Sequence, residues 1–401
     1  MANVNDYLNW RGDIPFSELP PCEVDALVFS LLSYINFDGI VPTGGEGITV
    51  RDAIEAYVEK YPTRKDRYLG LIMIDEISDV FLRLADCPRY ADVRMFDYVN
   101  EVCETCEMQF SAVSFDISDG EIFIAFRGTD DNIVGWKEDF KLSFLEVVPS
   151  HKRAVEYVKK VDGDKRGKLY FGGHSKGGHL AVWSAVHSQK RIRNRTVAVY
   201  SLDGPGFLPH VLESDNYKEM AGRITTLLPQ SSLVGLLLDN DRNFKIIKSR
   251  KSGVFQHNPM YWEVLGGQFV RLPQLSAQGL KNDTVLRERL AALTLEDKER
   301  FTEVIFDVIG TTGAKTLSEL NASKIKNAFA VMKAVNDLDK ETREAVGLLF
   351  GTLLNLKGSK KPKPDNSKKQ VNKKVPMQTE ITFFPLVSDA LKKYKDGKKS
   401  N

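Results

Sequence analysis

A chain of 401 residues with 42% apolar side chains can bury a sizeable core, which excludes disorder as its overall state. Its formal charge of +2 hides an asymmetry: residues 357–401 carry +9 and residues 1–356 carry −7. A strongly basic nucleic-acid binder is thereby excluded for the body of the chain, and no apolar run approaches the ~20 residues that a membrane-spanning helix needs.

The opening residues MANVNDYLNWRGD lack the basic-then-apolar order of a secretory leader. With only four cysteines (Cys22, Cys87, Cys103, Cys106), a reducing, cytoplasmic setting is expected. From Glu23 to about Met108 apolar residues recur at three and four, as in VDALVFSLLSYINF and VRDAIEAYVEKY, which predicts a helical entry segment. Cys103 and Cys106 have CxxC spacing within it, but no second pair or flanking His completes a zinc site, so thiols on a helical stretch are expected and no metal. The period then changes to that of strands. FSAVSFDI and EIFIAFRG flank a turn at Ser118, Asp119 and Gly120 and read as a β-hairpin. Apolar runs at KLYFGG, TVAVYSLDG, RITTLLP and FKIIKS alternate with helical stretches such as HKRAVEYVKKV and GGHLAVWSAVHSQK. That alternation predicts a doubly wound, mostly parallel sheet, an α/β fold with added helical segments at both ends.

After about Met260 the pattern is helical again, with capping-box spacings at Thr294 to Asp297 and Thr316 to Glu319. The stretch Glu341 to Leu356 is apolar on more than one side and reads as a helical appendage. The expected divisions are an N-terminal helical segment over 1–109, a core over 110–262, a C-terminal helical region over 263–356, and a basic tail over 357–401. The tail, KGSKKPKPDNSKKQVNKK and beyond, has the composition of a solvated, disordered extension. Its Lys-rich part lacks interleaved aromatics, so no specific nucleic-acid partner is expected, and at most weak contact with an anionic surface.

The most informative stretch is LYFGGHSKGGHLAVWSAVHS, where Gly173, Ser175 and Gly177 form GxSxG between a predicted strand and a predicted helix. A sharp strand-to-helix turn there would expose the Ser175 hydroxyl, and the free amides of the helix start would face a developing oxyanion, the amide of Lys176 first among them. Upstream, Arg127, Gly128 and Thr129 end a strand, and Thr129 is a second oxyanion candidate; as a bland alternative, Thr129 or Asp130 caps the next segment. GGHSKGGH contains neither GxGxxG nor GxxxxGK[ST], so no nucleotide or other cofactor is expected.

A base must come from His151, His174, His179, His187, His210 or His257. His257, late in the chain after the last predicted strand, fits the order serine, acid, histidine. For the acid, Asp203 ends the strand TVAVYSLDG, while Asp239 and Asp241 follow the next strand in LLLDNDRN; each could equally be a turn residue.

FRGT followed by a Trp and an Asp, then GGHSKGGHLA, then YSLDGPGF, resembles the class 3 lipase pattern of the α/β-hydrolase superfamily, most strongly from about Phe110 to Trp262. YLNWRGDIPF, RITTLLPQSSLVG and QHNPMYW are similar to a bacterial branch of lipase-like hydrolases of unknown function, extending the likeness over roughly residues 5 to 355. The resemblance implies Ser175 as nucleophile, Thr129 and Lys176 as oxyanion contributors, and His257 as base. Where class 3 lipases place the acid, this chain reads QSSLVG without a carboxylate. Asp203, Asp239 or Asp241 would then substitute, or Ser231 or Ser232 would hold the histidine. The Lys176 side chain is expected to make the entrance more polar. The function so implied is cleavage of a small acyl ester or lipid through an acyl-enzyme on Ser175. A thioesterase or acyltransferase, or a non-catalytic lipid- or protein-binding scaffold, stands as the alternative.

Overall fold

A computed structural model of the protein describes residues 2–62, 80–163, 167–240, 244–281, 283–284 and 294–322. The chain divides into two compact units, 1–292 and 293–401. In the first, α1 (Val4–Arg11) precedes α2 (Glu23–Leu32) and α3 (Val50–Lys60), and the last two follow the apolar periodicity. The short strand β1 (Ile48–Thr49) leads directly into α3, and β2 (Arg94–Cys103), after α3, pairs with β1. Next come β3 (Met108–Ser118), β4 (Glu121–Phe126), α4 (Ile133–Leu142), α5 (Pro149–Asp162), β5 (Leu169–His174) and α6 (Lys176–His187). They are followed by α7 (Lys190–Arg195), β6 (Thr196–Leu202), α8 (Pro209–Glu213), α9 (Asp215–Met220), β7 (Ile224–Pro229) and β8 (Lys245–Ile247). The short strands β9 (Val264–Leu265), β10 (Gln268–Phe269) and β11 (Arg271–Leu272) come last.

Nine strands form one sheet in the order β1-β2-β3-β4-β5-β6-β7-β8-β11. β4 through β8 are parallel, while β1 to β4 at one end and β11 at the other run antiparallel. This is the mostly parallel, helix-flanked sheet that the alternation predicts. A core cluster on one face centres on α2, with Phe29 against Phe115 and Phe123. The other face packs α5 and α6 through Tyr157, Leu180 and Trp183. Consecutive parallel strands need crossovers, and helices that cover both faces bury the apolar runs of β4 and β5 completely.

Two expectations need correction. Residues 94–103, assigned to the helical entry segment, form a strand: Met95, Phe96 and Tyr98 are buried and the strand pairs along β3. Three- and four-residue spacing is ambiguous over so short a run, and the available ladder of β3 decides it. Cys103 and Cys106 accordingly sit in the β2–β3 hairpin turn, joined as a disulfide. Beyond Met260, β9 to β11 precede any helix.

The N-terminal helices are anchored by a buried pair. Asp25 accepts hydrogen bonds from Tyr7, Tyr90, the Cys22 amide and two nitrogens of Arg89, all at 2.5–2.8 Å. Five donors offset the cost of burying the charge. The second unit contains α10 (Leu295–Gly310), with the expected Thr294–Asp297 capping box, and α11 (Leu317–Ala322), where Thr316 Oγ1 accepts from the Glu319 amide. The Glu341–Leu356 stretch and the basic tail lie outside the described residues. Among those described, no helix is long and apolar enough to cross a membrane.

Candidate active site

β5 runs into α6 with a single residue, Ser175, at the turn. Its backbone lies at φ 59°, ψ −133°, a region that a non-glycine residue enters only when its surroundings force it. The neighbours supply that force: a Cβ on Gly173 would lie 2.2 Å from the Gly177 carbonyl, and one on Gly177 would lie 2.1 Å from the Phe126 carbonyl oxygen. Both glycines of GxSxG are therefore demanded by close backbone approach. Ser175 occupies the N-cap of α6, yet its side chain makes no capping hydrogen bond. The hydroxyl is left for other use, above a helix start whose amides favour negative charge.

Adjacent strand ends converge on this turn. The Ser175 amide donates to Leu202 O at 3.0 Å, and the next residue, Asp203, also has a positive φ, 52°. Asp203 is buried, and His257 Nδ1–H donates to its Oδ2 at 2.7 Å. Ser232 Oγ donates to Oδ1 of the same carboxylate while accepting the Gly235 amide at 2.9 Å. The carboxylate that meets His257 is thus drawn from the end of β6. Ser232, at the place where the resemblance leads one to look for a carboxylate, supports it by a hydrogen bond. Asp239, the other acid candidate, pairs through its backbone with Phe207, and it is Asp203 that reaches His257. Asp241 lies outside the described residues.

His257 closes a short turn, Gly253–His257, and the motif QHNPMYW explains how that turn is held. Gln256 Oε1 accepts the Ser231 amide at 3.0 Å, Asn258 caps the next turn, and buried Trp262 donates its indole N–H to Gln256 O at 2.7 Å. The His257 ring lies 4.5 Å from that of His174, the residue before Ser175.

Thr129 follows β4. Asn132 rather than Thr129 or Asp130 caps α4, and Asp130 instead receives Arg127 and the Asn132 amide. The Thr129 hydroxyl oxygen is buried without a hydrogen bond of ordinary geometry. Asp139 is beside it; burial pushes this carboxyl up to about 6 against the opposing pull of Lys176, whose Nζ is 3.8 Å away, and of Thr129.

The Lys176 side chain corrects an expectation. It does not line an entrance: it is 1% exposed, and its Nζ donates to Gln109 O (2.9 Å), Gln109 Oε1 (2.7 Å) and Glu138 Oε2 (3.1 Å). No feature near Lys176 in the sequence points to Glu138, which is 38 residues earlier.

The remaining histidines have other partners. His210 is exposed beside Glu146, and His187 stacks on Trp183. His151 and His179 form a buried pair, Nε2 to Nε2 at 2.7 Å. The Val148 amide donates to His151 Nδ1, and His179 Nδ1–H donates to Gly206 O at 2.9 Å, so one proton serves each link and both rings are neutral. Burial holds His179 down to about 4. Its folded-state value lies below its unfolded one, so this contribution to stability is full above about pH 6.5 and is lost as pH falls toward 4. Wild type should lose about 3 kcal/mol of unfolding free energy from this group between about pH 7 and pH 4. Urea melts of wild type and His179→Gln at both pH values check it, since the variant lacks this part of the loss.

A strained serine turn, a buried aspartate–histidine pair and helix-start amides on a mostly parallel sheet define a protein of lipase-like class. The family model described as Mbeg1-like matches residues 84–307, more than half of the chain, and the protein belongs to that lipase-like family. None of the curated proteins compared matches it. Among solved structures, the crystal structure of M37 lipase is similar at 15% identity over 53% of this chain and 69% of that one, with a TM-score of 0.33; a likeness of that size says nothing of chemistry. Among the described residues no cluster of three or more His, Cys, Asp or Glu side chains could hold a metal ion.

Proposed function

We propose that the protein is a serine hydrolase of the α/β-hydrolase type, related to class 3 lipases, that cleaves a carboxylic ester or lipid. The observation that carries this reading is the forced backbone of Ser175, its hydroxyl unused as a cap, at the edge where His257 is bonded to Asp203. Ser175 Oγ attacks the acyl carbonyl carbon as His257 Nε2 takes its proton, and the Asp203 carboxylate stabilises the imidazolium that forms. The oxyanion is met by the amides of Lys176 and Thr129. Collapse breaks the carbon–oxygen bond to the alcohol, which leaves with the proton from His257. Water then attacks the acyl-enzyme by the same route, returning the proton to Ser175. A thioesterase or acyltransferase would use the same groups on a different leaving group or acceptor. The His257–Asp203 bond supports the catalytic reading over a non-catalytic scaffold.

A fluorophosphonate probe followed by intact mass tests the proposal without knowledge of the substrate. Wild type should gain one adduct, Ser175→Ala none, and His257→Ala should label far more slowly. Folded wild type that never labels would sink the enzyme reading and leave a binding scaffold. Labelled protein then justifies a panel of esters, lipids and thioesters.

A further inference from the structure

The side chain of His174, the residue before Ser175, has no part in the chemistry above, and both of its ring nitrogens are engaged. Nε2 lies 2.8 Å from the backbone carbonyl of His257, and Nδ1 lies 3.0 Å from the hydroxyl of Tyr34, 140 residues away. A carbonyl only accepts, so Nε2 carries the proton; Nδ1 must then accept, and the Tyr34 hydroxyl donates to it. One protonation pattern satisfies the whole chain, and burial holds the His174 ring well below the usual histidine range, in its neutral form.

Tyr34 is placed as firmly. It follows α2, whose first turn carries the Asp25 that Arg89, Tyr7 and Tyr90 anchor. Its hydroxyl fills the space over Gly128, where an added Cβ would come within 2.2 Å of it. The hydroxyl therefore touches the end of β4, just before Thr129, and the end of β5, just before Ser175. Through His174 it reaches the backbone of His257.

We infer that Tyr34 and His174 are positioning residues that fix the backbone of His257 relative to Ser175, so that the Asp203 bond orients the ring and the His174 bond locates its main chain. This inference rests on the catalytic reading of Ser175 and His257. Its chemical logic is that a base displaced by about 1 Å can cost about 10²-fold in rate even when every reacting group is present. The arrangement also places a neutral ring, rather than a second cation, 4.5 Å from the imidazolium that His257 becomes.

The test compares His174→Gln, His174→Asn and Tyr34→Phe with wild type in the full-length protein. A glutamine amide reaches about as far as Nε2 and keeps the donor to His257 O, while the shorter asparagine does not. Two readouts are taken: the second-order rate of fluorophosphonate labelling, and the low-field proton NMR signal of His257 Nδ1–H bonded to Asp203. Expected are a loss of about 10²-fold for His174→Asn, about tenfold for Tyr34→Phe, and less than tenfold for His174→Gln. The low-field signal should be kept in His174→Gln and broadened or lost in His174→Asn. Equal losses in the Asn and Gln variants, or a wild-type rate and unchanged signal in His174→Asn, overturn the inference. If wild type fails to label, the catalytic reading fails, and the NMR signal alone decides whether His174 locates His257. Should His174→Asn not fold, Tyr34→Phe carries the test, since it deletes one hydroxyl and keeps the ring.

Discussion

Asp203→Asn is expected to slow labelling of Ser175, and any ester turnover found, by about 10⁴-fold while the fold survives. Asparagine is isosteric and is among the few residues that tolerate the positive φ of this position. The loss comes from hydrogen-bond direction. Ser232 Oγ accepts the Gly235 amide, so its own proton points at Oδ1 of residue 203. An asparagine would give its oxygen to Ser232 and turn its NH₂ toward His257 Nδ1. That nitrogen would have to accept, which moves the imidazole proton to Nε2, the position that must be free to take the proton of Ser175. The check is the labelling rate of the folded variant beside Asp239→Asn, which should label within about threefold of wild type because Asp239 is held by its backbone pairing to Phe207. A slow Asp239→Asn and a fast Asp203→Asn would reverse the assignment of the acid.

The part of this site legible in the sequence is the part set by local backbone geometry. GxSxG between an apolar run and a helical run marks a turn that only glycine flanks allow, and the Cβ clashes at Gly173 and Gly177 are the physical content of that motif. Chain order singles out His257 in the sequence, and it is this histidine that is bonded to Asp203. The choice between Asp203 and Asp239 was not legible, because both follow strands in turn-forming company. What brings Asp203 rather than Asp239 to His257 is β6 ending beside the serine turn and Gln256 drawing the His257 turn against Ser231.

Pairings distant in sequence stayed hidden for the same reason. Helical spacing over Glu23 to Lys60 is carried into α2 and α3, whereas residues 94–103 have their structure set by the partner strand β3. The CxxC pair, expected on a helix, lies in the β2–β3 hairpin turn for the same reason. Tyr34 carries no local signal of its contact with His174. Lys176, expected to make the entrance more polar, is instead drawn inward by Glu138, which nothing beside it in the sequence announces.

That lysine gives the second large effect. Lys176→Met should destabilise the protein by about 3 kcal/mol near neutral pH, the range found when one partner of a buried ion pair is removed. Lys176 and Glu138 are 1% and 0% exposed, so water does not replace the lost ammonium. Glu138 keeps two amide donors, from Gln109 at 3.1 Å and from Ser150 at 2.9 Å in the first turn of α5, which holds the loss to the lower end. These donors also explain why an apolar pair is no simple substitute: a leucine at 138 would orphan both amides inside the core. An unpaired carboxylate is relieved when it takes up a proton, so the deficit against wild type should shrink as pH falls from about 7 to about 5. Urea melts of both proteins at the two pH values decide the matter. A deficit under about 1 kcal/mol that does not change with pH would mean that the pair contributes little and that Gln109 alone holds the lysine.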